Sequence, residues 1–191
     1  MSSVKPIIYK VVFMGDSGVG KSSIAERIVN DVFSISTEAT IGASYLSKIL
    51  SKNNKIYNFN IWDTAGQEKY HCLVPLYYKN CDAAMIVYDI TNRNSYLAAK
   101  KRIPELRKNS TVSAIILIGN KTDLIDRQVP KSEAQLFSSE NNVLFLETSA
   151  KTAFHTKDIL EKILEELPPP PAPIDSIPLI PTHTSYSCCN Y

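Results

Sequence analysis

A glycine-rich run, Gly15-Asp-Ser-Gly-Val-Gly-Lys-Ser22, carries the clearest chemical signal in this chain of 191 residues. It fits the spacing G-x-x-x-x-G-K-[ST], after a strand-like segment and before a helix-like one. Backbone N–H groups in such a loop, together with a helix start, bind phosphate oxygens. Lys21 can reach β- and γ-phosphates, and the Ser22 hydroxyl is a candidate Mg²⁺ ligand. The predicted phosphate-binding residues of the run are Asp16, Ser17, Gly18, Val19, Gly20, Lys21, Ser22 and Ser23. The alternative is an ordinary glycine-rich turn.

Three further positions predict how a γ-phosphate and its metal ion would be held. Asp63 directly follows a predicted strand, where a carboxylate can hold Mg²⁺ through water. Gly66 can bring its N–H to a γ-phosphate, and the Thr40 hydroxyl can complete the Mg²⁺ shell when that phosphate is present. The Gln67 amide both donates and accepts, so it can orient an attacking water and is the predicted catalytic residue. Taken alone, the 63–67 run also fits a polar loop.

Two later runs predict that the base is guanine. Asp123, in Asn120-Lys-Thr-Asp123, can accept from the adjacent N1–H and N2 amine of guanine, a pair that adenine lacks. The Lys121 stem can pack over the base, and Asn120 can tie this loop to the phosphate loop. The Ala150 N–H is placed to bind guanine O6. The predicted residues are Asn120, Lys121, Asp123, Ser149, Ala150 and Lys151. An Asx-type turn is the alternative for the first run.

The elements that must position these runs alternate between strands and helices. The predicted strands are 7–14, 44–51, 56–62, 83–89, 114–119 and 143–147, and the predicted helices are 21–30, 93–108, 131–141 and 154–167, with a short helix leading to Tyr78. Continuous apolar runs are typical of strands that are covered on both faces. The order predicts an α/β fold: a six-stranded, mostly parallel sheet with helices on both faces. The hairpin around residues 52–55 adds one antiparallel edge strand.

Composition and length narrow the function classes further. We expect one domain over residues 1–167 and a flexible, proline-rich tail over 168–191, because a run of four prolines cannot continue a helix. The net charge of +2 implies no nucleic-acid partner. Dispersed and adjacent cysteines fit neither a disulfide framework nor a zinc site, so a reducing cytosolic compartment is expected. The N-terminus lacks the apolar core of a signal peptide, and no apolar run is long enough to cross a bilayer.

The motifs GDSGVGKS, Thr40, WDTAGQ, NKTD and TSAK, in this order over residues 8–167, resemble the Ras superfamily of small GTPases. The segments TIGASYLSK, WDTAGQEKYHCLVPLYY and ETSAKT are similar to the early-endosomal members of its Rab branch. The resemblance implies a P-loop small G domain that binds GTP or GDP with Mg²⁺. It also implies that Phe33 stacks edge-on against the guanine. Tyr45, Trp62 and Tyr77 match the aromatic triad through which Rabs bind effectors; three core aromatics are the alternative.

The resemblance further implies a slow switch that regulates vesicle traffic, endocytosis and early endosome fusion. Residues 34–48 contain no Arg, so no arginine finger is offered in cis, and a finger in trans is worth about 10³–10⁵ in rate. The expected partners are an activating protein (GAP), an exchange factor (GEF), effectors and a GDP-dissociation inhibitor or escort protein. We expect the domain itself to be monomeric. The competing classes are an ATP-dependent P-loop kinase, which the NKTD run disfavours, and a pseudo-GTPase.

The adjacent Cys188 and Cys189 are the predicted lipidation sites. The resemblance implies prenylation of both, and two lipid chains anchor a protein stably where one does so only marginally. The tail has almost no Lys or Arg to provide a second, polybasic signal, so both cysteines are expected to be needed. A pair of idle thiols is the alternative. The expected location is the cytosolic face of the early endosome, with cycling through the cytosol.

Overall fold

The computed structural model describes residues 5–34, 40, 42–66 and 79–168. Within them, six strands form one sheet: β1 (Ile7–Met14), β2 (Ala43–Lys52), β3 (Lys55–Thr64), β4 (Ala83–Asp89), β5 (Ala114–Asn120) and β6 (Leu144–Glu147). The helices are α1 (Lys21–Asn30), α2 (Arg93–Asn109), α3 (Lys131–Glu140) and α4 (Asp158–Glu166). In the part of the chain that the structure describes, no helix has the length and apolar character needed to cross a bilayer.

The sheet has the strand order β2-β3-β1-β4-β5-β6. All neighbouring strands run parallel except β2, which pairs antiparallel with β3 at the edge. The predicted fold, a mostly parallel six-stranded sheet with one antiparallel edge strand, is therefore confirmed. Because Phe13 pairs with Asp63 and Asp89 pairs with Asn120, the carboxyl ends of the parallel strands meet at one edge of the sheet.

Helices cover both faces of the sheet, as the sequence predicts. On one face, α1 packs against β2 and β3 and α4 packs against β5 and β6, with buried residues such as Ile24 and Ile159 in one shared core. On the other, α2 and α3 cover β4 and β5 through residues such as Tyr96 and Ala134. Both faces of β4 and β5 are buried, which explains why their sequences are continuous apolar runs. Each fully buried Ile or Phe contributes roughly 1.5–3 kcal/mol relative to an exposed one.

The turn between β2 and β3 consists of Asn53 and Asn54. Both have positive φ, 52° and 58°, as a two-residue type I′ hairpin turn requires. Asn tolerates this left-handed conformation better than most residues other than Gly. The hairpin predicted around this turn is therefore present, and it places β2 at the edge of the sheet beside β3.

The last helix begins later than its apolar pattern predicts. A helix from Phe154 was expected, but α4 starts at Asp158, so the predicted start is wrong by four residues. Ala153 and His155 have positive φ, 63° and 53°, which interrupts a right-handed helix. The Ser149 N–H also donates to the Phe154 carbonyl at 3.1 Å. Phe154 is thus part of a turn that packs back on the loop after β6.

Candidate nucleotide-binding site

A cleft of about 420 Å³ opens at the carboxyl edge of the parallel strands. Its lining includes most of the residues predicted to bind a nucleotide: Ser17, Gly18, Gly20, Lys21, Ser22, Ser23, Phe33, Thr40, Gly66, Asn120, Lys121, Asp123, Ala150 and Lys151. The side chains of Ser34 and Leu124, which the sequence analysis did not select, also line it. Asp16, Val19 and Ser149 are not among the lining residues. The predicted residues Gln67, Tyr77, Cys188 and Cys189 lie outside the described residues.

The phosphate loop connects β1 to α1 and packs against the loop after β5. Gly20 has φ of 96°, in the left-handed region that favours glycine. A Cβ at Gly20 would lie 2.3 Å from Asn120 Nδ2, so no side chain fits there. Asn120 Nδ2 in turn donates to the Val19 carbonyl at 2.9 Å. The tie between the two loops that the sequence predicts is therefore present in the structure.

Lys21 is almost completely buried at the bottom of the phosphate loop. Its Nζ donates to the carbonyl oxygens of Gly15 and Asp16 at 3.0 and 2.8 Å. Burial lowers the pKa of Lys21 to about 8; the charge of Asp63 opposes this effect and that of Arg102 adds to it. A phosphate group in the cleft would supply the negative charge that a buried ammonium group requires.

Three oxygen-bearing side chains meet beside Lys21 in an arrangement that fits Mg²⁺. The Ser22 hydroxyl donates to Asp63 Oδ2 at 2.5 Å and lies 2.9 Å from Thr40 Oγ1. Asp63 Oδ1 is buried and accepts no hydrogen bond from the described residues. Burial raises the pKa of Asp63, against the Ser22 hydrogen bond and the charge of Lys21. Hydroxyl and carboxylate oxygens are the ligands that Mg²⁺ prefers, so a cation would satisfy this cluster.

Gly66 lies directly against the phosphate loop. A Cβ at this position would come within 2.4 Å of Asp16 C and of Ser17 N, both of which are backbone atoms. Only glycine therefore lets the end of the β3 segment approach the Asp16–Ser17 peptide this closely. Gly66 thus lines the cleft beside the phosphate loop, where the sequence predicts a γ-phosphate.

Asn120 organises the base end of the cleft through a buried network. Besides its bond to the phosphate loop, its Oδ1 accepts from Ala150 N at 3.2 Å and from Thr148 Oγ1 at 3.3 Å. Thr148 N donates to the Gly119 carbonyl, which joins the ends of β5 and β6. One amide side chain thus connects three loops. Thr148 was not identified from the sequence, because a Thr that follows a strand carries no distinguishing signal.

Asp123 and Lys121 are both held by neighbours that leave their polar groups at the base end. Asp123 Oδ1 accepts from the Ser149 hydroxyl at 2.6 Å, and Lys151 Nζ lies 4.0 Å from Asp123 Oδ2. Lys121 has φ of 70°, and its Nζ lies 2.6 Å from Asp89 Oδ2. Asp89 was not predicted, because it lies at the end of another strand, 32 residues earlier in the chain. Asp123 Oδ2 thus has only the distant Lys151 ammonium as a described neighbour, and no hydrogen bond to it is formed at that distance.

The loop that contains Ala150 is fixed from α1. Arg27 Nε donates to the Ala150 carbonyl at 2.9 Å, and its Nη2 donates to the Lys151 carbonyl at 3.3 Å. The Ala150 N–H itself donates to Asn120 Oδ1 in a buried position, so its predicted bond to guanine O6 stays a prediction. Arg27 was not predicted, because an Arg in an amphipathic helix is most often a solvated residue.

The described members of the aromatic triad, Tyr45 and Trp62, are neighbours on the sheet, and Trp62 also packs against the hydrophobic core. They are paired across β2 and β3, with ring centroids 5.5 Å apart in an edge-on arrangement. Tyr45 is 54% exposed, and its hydroxyl donates to Asn60 Oδ1 at 2.8 Å. Trp62 is partly buried. The alternative of buried core aromatics therefore does not hold for Tyr45.

Comparison with known proteins gives one family. A protein-family model described as Ras family matches residues 10–168. The chain is 45% identical to the Ras-related protein RABF2a of Arabidopsis thaliana over 98% of both chains. It is 48% identical to the Ras-related protein Rab5 of Nicotiana tabacum, over 83% of this chain and 80% of that protein. It is 46% identical to the Ras-related protein Rab5A of Oryza sativa subsp. japonica, over 83% and 79%.

The chain therefore belongs to the Ras family, whose members are small GTPases. Within that family it is a Rab5-like small GTPase. Membership implies that the cleft binds GDP and GTP and that the protein hydrolyses GTP. The resemblance inferred from the motifs is thus confirmed.

Proposed function

We propose that this protein is a guanine-nucleotide switch that hydrolyses GTP slowly with Mg²⁺ and depends on a GAP and a GEF. One observation carries this proposal: the Asn120 side chain joins the phosphate loop and the loop that carries Asp123 into a single cleft. The cleft thereby combines phosphate-binding N–H groups with a carboxylate suited to guanine.

Each part of the cleft has a distinct role in this proposal. Lys21 and the N–H groups of residues 16–23 bind the β- and γ-phosphates, and Ser22, Thr40 and, through water, Asp63 hold the metal ion. Mg²⁺, when bound, neutralises charge on the phosphate oxygens. Gln67 orients the attacking water. Thr40 and Gly66 respond to the γ-phosphate, so GTP and GDP give two states of the protein. The base is bound by Phe33, Asn120, Lys121, Asp123, Ser149, Ala150 and Lys151.

The absence of an Arg in residues 34–48 makes slow intrinsic hydrolysis the expected behaviour. A GAP would supply the missing cation and a GEF would release GDP. Both regulators are typical of a switch, because the time that a switch spends bound to GTP has to be controlled. A metabolic enzyme would not need them. They are proposed here by analogy with the family to which the chain belongs.

We further propose a role in vesicle traffic at the early endosome. The support is the similarity to proteins named Rab5 and RABF2a, together with the exposed Tyr45 beside Trp62. An exposed aromatic pair is a common anchor for a protein partner. Tyr45, Trp62 and Tyr77 form the proposed effector-binding triad. Prenylation of Cys188 and Cys189, near the end of a flexible tail over 168–191, would hold the 1–167 domain at the membrane, and a GDP-dissociation inhibitor or escort protein would extract it.

Nucleotide competition and single-turnover hydrolysis test the switch. Labelled GDP bound to the purified protein should be displaced by GDP and GTP but not by ATP at comparable concentrations. GTP hydrolysis with Mg²⁺ should be slow, and a Gln67→Leu variant should bind GTP but hydrolyse it still more slowly. Displacement by ATP as effective as that by GTP would contradict the guanine assignment. A wild-type protein that binds GTP but shows no hydrolysis over many hours would be a binding module instead.

Membrane fractionation tests the anchor. The double variant Cys188→Ser/Cys189→Ser should be soluble in cells, while Cys81→Ser, a buried position within the domain, should remain on membranes. Each single tail variant should bind membranes only weakly, because one lipid chain gives marginal anchoring. If the double variant stayed on membranes as the wild type does, lipid anchoring would be the wrong explanation.

A further inference from the structure

An ion pair connects the phosphate loop to a helix that has no part in the nucleotide site described above. Arg102, on α2, donates from Nη2 to Asp16 Oδ1 at 2.7 Å. The two residues are 86 positions apart in the chain, and the Arg102 side chain is only 15% exposed. The pair is therefore a shielded contact between distant elements, and it is stronger than an ion pair fully in water.

Asp16 lies at the junction of the parts that surround the phosphates. Its carbonyl accepts from Lys21 Nζ at 2.8 Å. Its peptide with Ser17 is also the surface against which Gly66 packs. A movement of Asp16 would thus displace both the lysine that reaches the phosphates and the glycine expected beside a γ-phosphate.

The negative charge of Asp16 gives the Arg102 guanidinium a second role, which is to offset that charge beside the phosphates. The Asp16 carboxylate lies on the loop that binds polyanionic phosphates, and without a partner its negative charge would repel them. Arg102 cancels that charge and holds the side chain toward α2. Its Nε is buried without a hydrogen-bond partner among the described residues, so the guanidinium is only partly satisfied.

We infer that Arg102 is a positioning residue for the nucleotide: through Asp16 it holds the first half of the phosphate loop and slows nucleotide release. This inference rests on the proposed guanine-nucleotide function. The effect is larger for the triphosphate than for the diphosphate, because Asp16 contacts Gly66, the residue expected at the γ-phosphate. Asp16 is thus contacted by Lys21, by Gly66 and by Arg102. Arg102 lies on α2, outside all of the motifs that are proposed to bind the nucleotide.

Release of fluorescent GDP and of a fluorescent, non-hydrolysable GTP analogue tests this inference. Arg102→Met should release GDP roughly tenfold faster than the wild type, and the GTP analogue faster by a larger factor, because a shielded charge pair loses one partner. Lys101→Met is the matched control: it removes the same charge from the next residue, which is exposed and has no ion pair within the described part of the chain. Its release rates should equal those of the wild type.

A second pair of variants separates positioning from folding. Arg102→Met/Asp16→Asn should still release both nucleotides faster than the wild type, because the contact between the loop and α2 is missing, but more slowly than Arg102→Met, because no unpaired carboxylate remains beside the phosphates. Arg102→Lys should give intermediate rates and serves as the probe if Arg102→Met does not fold. Thermal unfolding of each variant is measured in parallel.

The outcomes are distinct. If the wild type bound neither nucleotide, the proposed function would fail. If the wild type bound both and Arg102→Met released them like Lys101→Met, the inference about Arg102 would be wrong. A lower unfolding temperature with unchanged release rates would make the pair a purely structural contact and would also overturn the inference. Wild-type release rates in the double variant would overturn it too, because the loop would then not need the contact with α2.

Discussion

At the scale of single residues, Asp123 and Asn120 belong to the same short run but have different tasks. Asp123 Oδ1 accepts from Ser149, and Asp123 Oδ2 faces Lys151 Nζ at 4.0 Å, beyond hydrogen-bond distance, at the base end of the cleft. Asn120 is buried, and every hydrogen bond it makes goes to another part of the protein. Variants of the two residues should therefore fail in different ways, one in base selection and the other in stability.

Asp123→Asn should change which base is bound. An amide donates where the carboxylate accepted, so it no longer matches the N1–H and N2 amine of guanine but can pair with the 2-oxo group of xanthine. We expect the affinity for GDP to fall by at least about 100-fold and that for XDP to rise, as loss of a buried polar match is costly. Equilibrium competition between labelled GDP and XDP measures this. A variant that preferred GDP as strongly as the wild type would show that Asp123 does not read the base.

Asn120→Ala should destabilise the fold even without nucleotide. It would leave the Val19 carbonyl and the Ala150 N–H buried without their partner, at a cost of about 2–4 kcal/mol. Chemical denaturation of the nucleotide-free protein measures the loss. Asp123→Asn is the control, since it lies in the same run but should change stability by less than about 1 kcal/mol. An Asn120→Ala variant as stable as this control would contradict the role of the network.

At the scale of elements, two turns determine where secondary structure begins and ends. The Asn53–Asn54 turn has the left-handed conformation that joins β2 to β3 in a two-residue hairpin. The turn before α4 has two non-glycine residues with positive φ and delays the start of the helix to Asp158. The first was predictable because Asn-rich pairs are typical of such turns. The second was not, because Ala and His give no such signal.

Asn54→Ala should destabilise the hairpin. Alanine has no side-chain compensation for the left-handed conformation, so we expect a loss of about 1 kcal/mol and a fall in the unfolding temperature of about 2–4 °C. Asn54→Gly should cause no loss. Ser51→Ala, at an exposed strand position of the same hairpin, is the control and should change the temperature by less than about 1 °C. Equal effects at positions 51 and 54 would argue against a strained turn.

At the scale of the whole molecule, the cleft brings together loops from the ends of β1, β3, β5 and β6. Each loop is held by contacts with the others, and the cluster of Ser22, Thr40 and Asp63 keeps a buried carboxylate oxygen without a partner. A bound nucleotide and its metal ion would therefore complete contacts that the protein leaves open. Ligand binding should stabilise the entire domain as a unit.

Removing the ligands should lower the unfolding temperature in two steps. GDP at about 1,000 times its dissociation constant adds about 4 kcal/mol, which for this size corresponds to roughly 8–16 °C. Chelation of Mg²⁺ should reverse part of that gain, because Asp63 then keeps an uncompensated charge. Asp63→Ala is the control: in this variant, chelation of Mg²⁺ should no longer change the unfolding temperature of the GDP-bound protein. If chelation left the GDP-bound unfolding temperature unchanged, the cluster would not be a Mg²⁺ site.

Whether a residue's role could be predicted depends on how many positions separate it in the chain from the residues that it contacts. The runs 15–22, 63–67 and 120–123 are each a single short segment. The residue types in each run, and their spacing, therefore indicated its chemistry directly. Asp89, Arg27 and Arg102 contact those runs from other elements, and an isolated Asp or Arg gives no indication of which loop it will reach. Sequence patterns likewise predicted the strand bounds closely, because burial on both faces imposes continuous apolar runs.

Motifs and apolar periodicity predicted the family, the α/β order of elements and most of the residues that line the cleft, because they are properties of short segments. How these segments are held together is visible in the folded structure alone. It brings Asn120 to the phosphate loop, Asp89 to Lys121 and Arg102 to Asp16. Those contacts follow from the packing of strands and helices that are far apart in the chain, and no spacing within one segment encodes them.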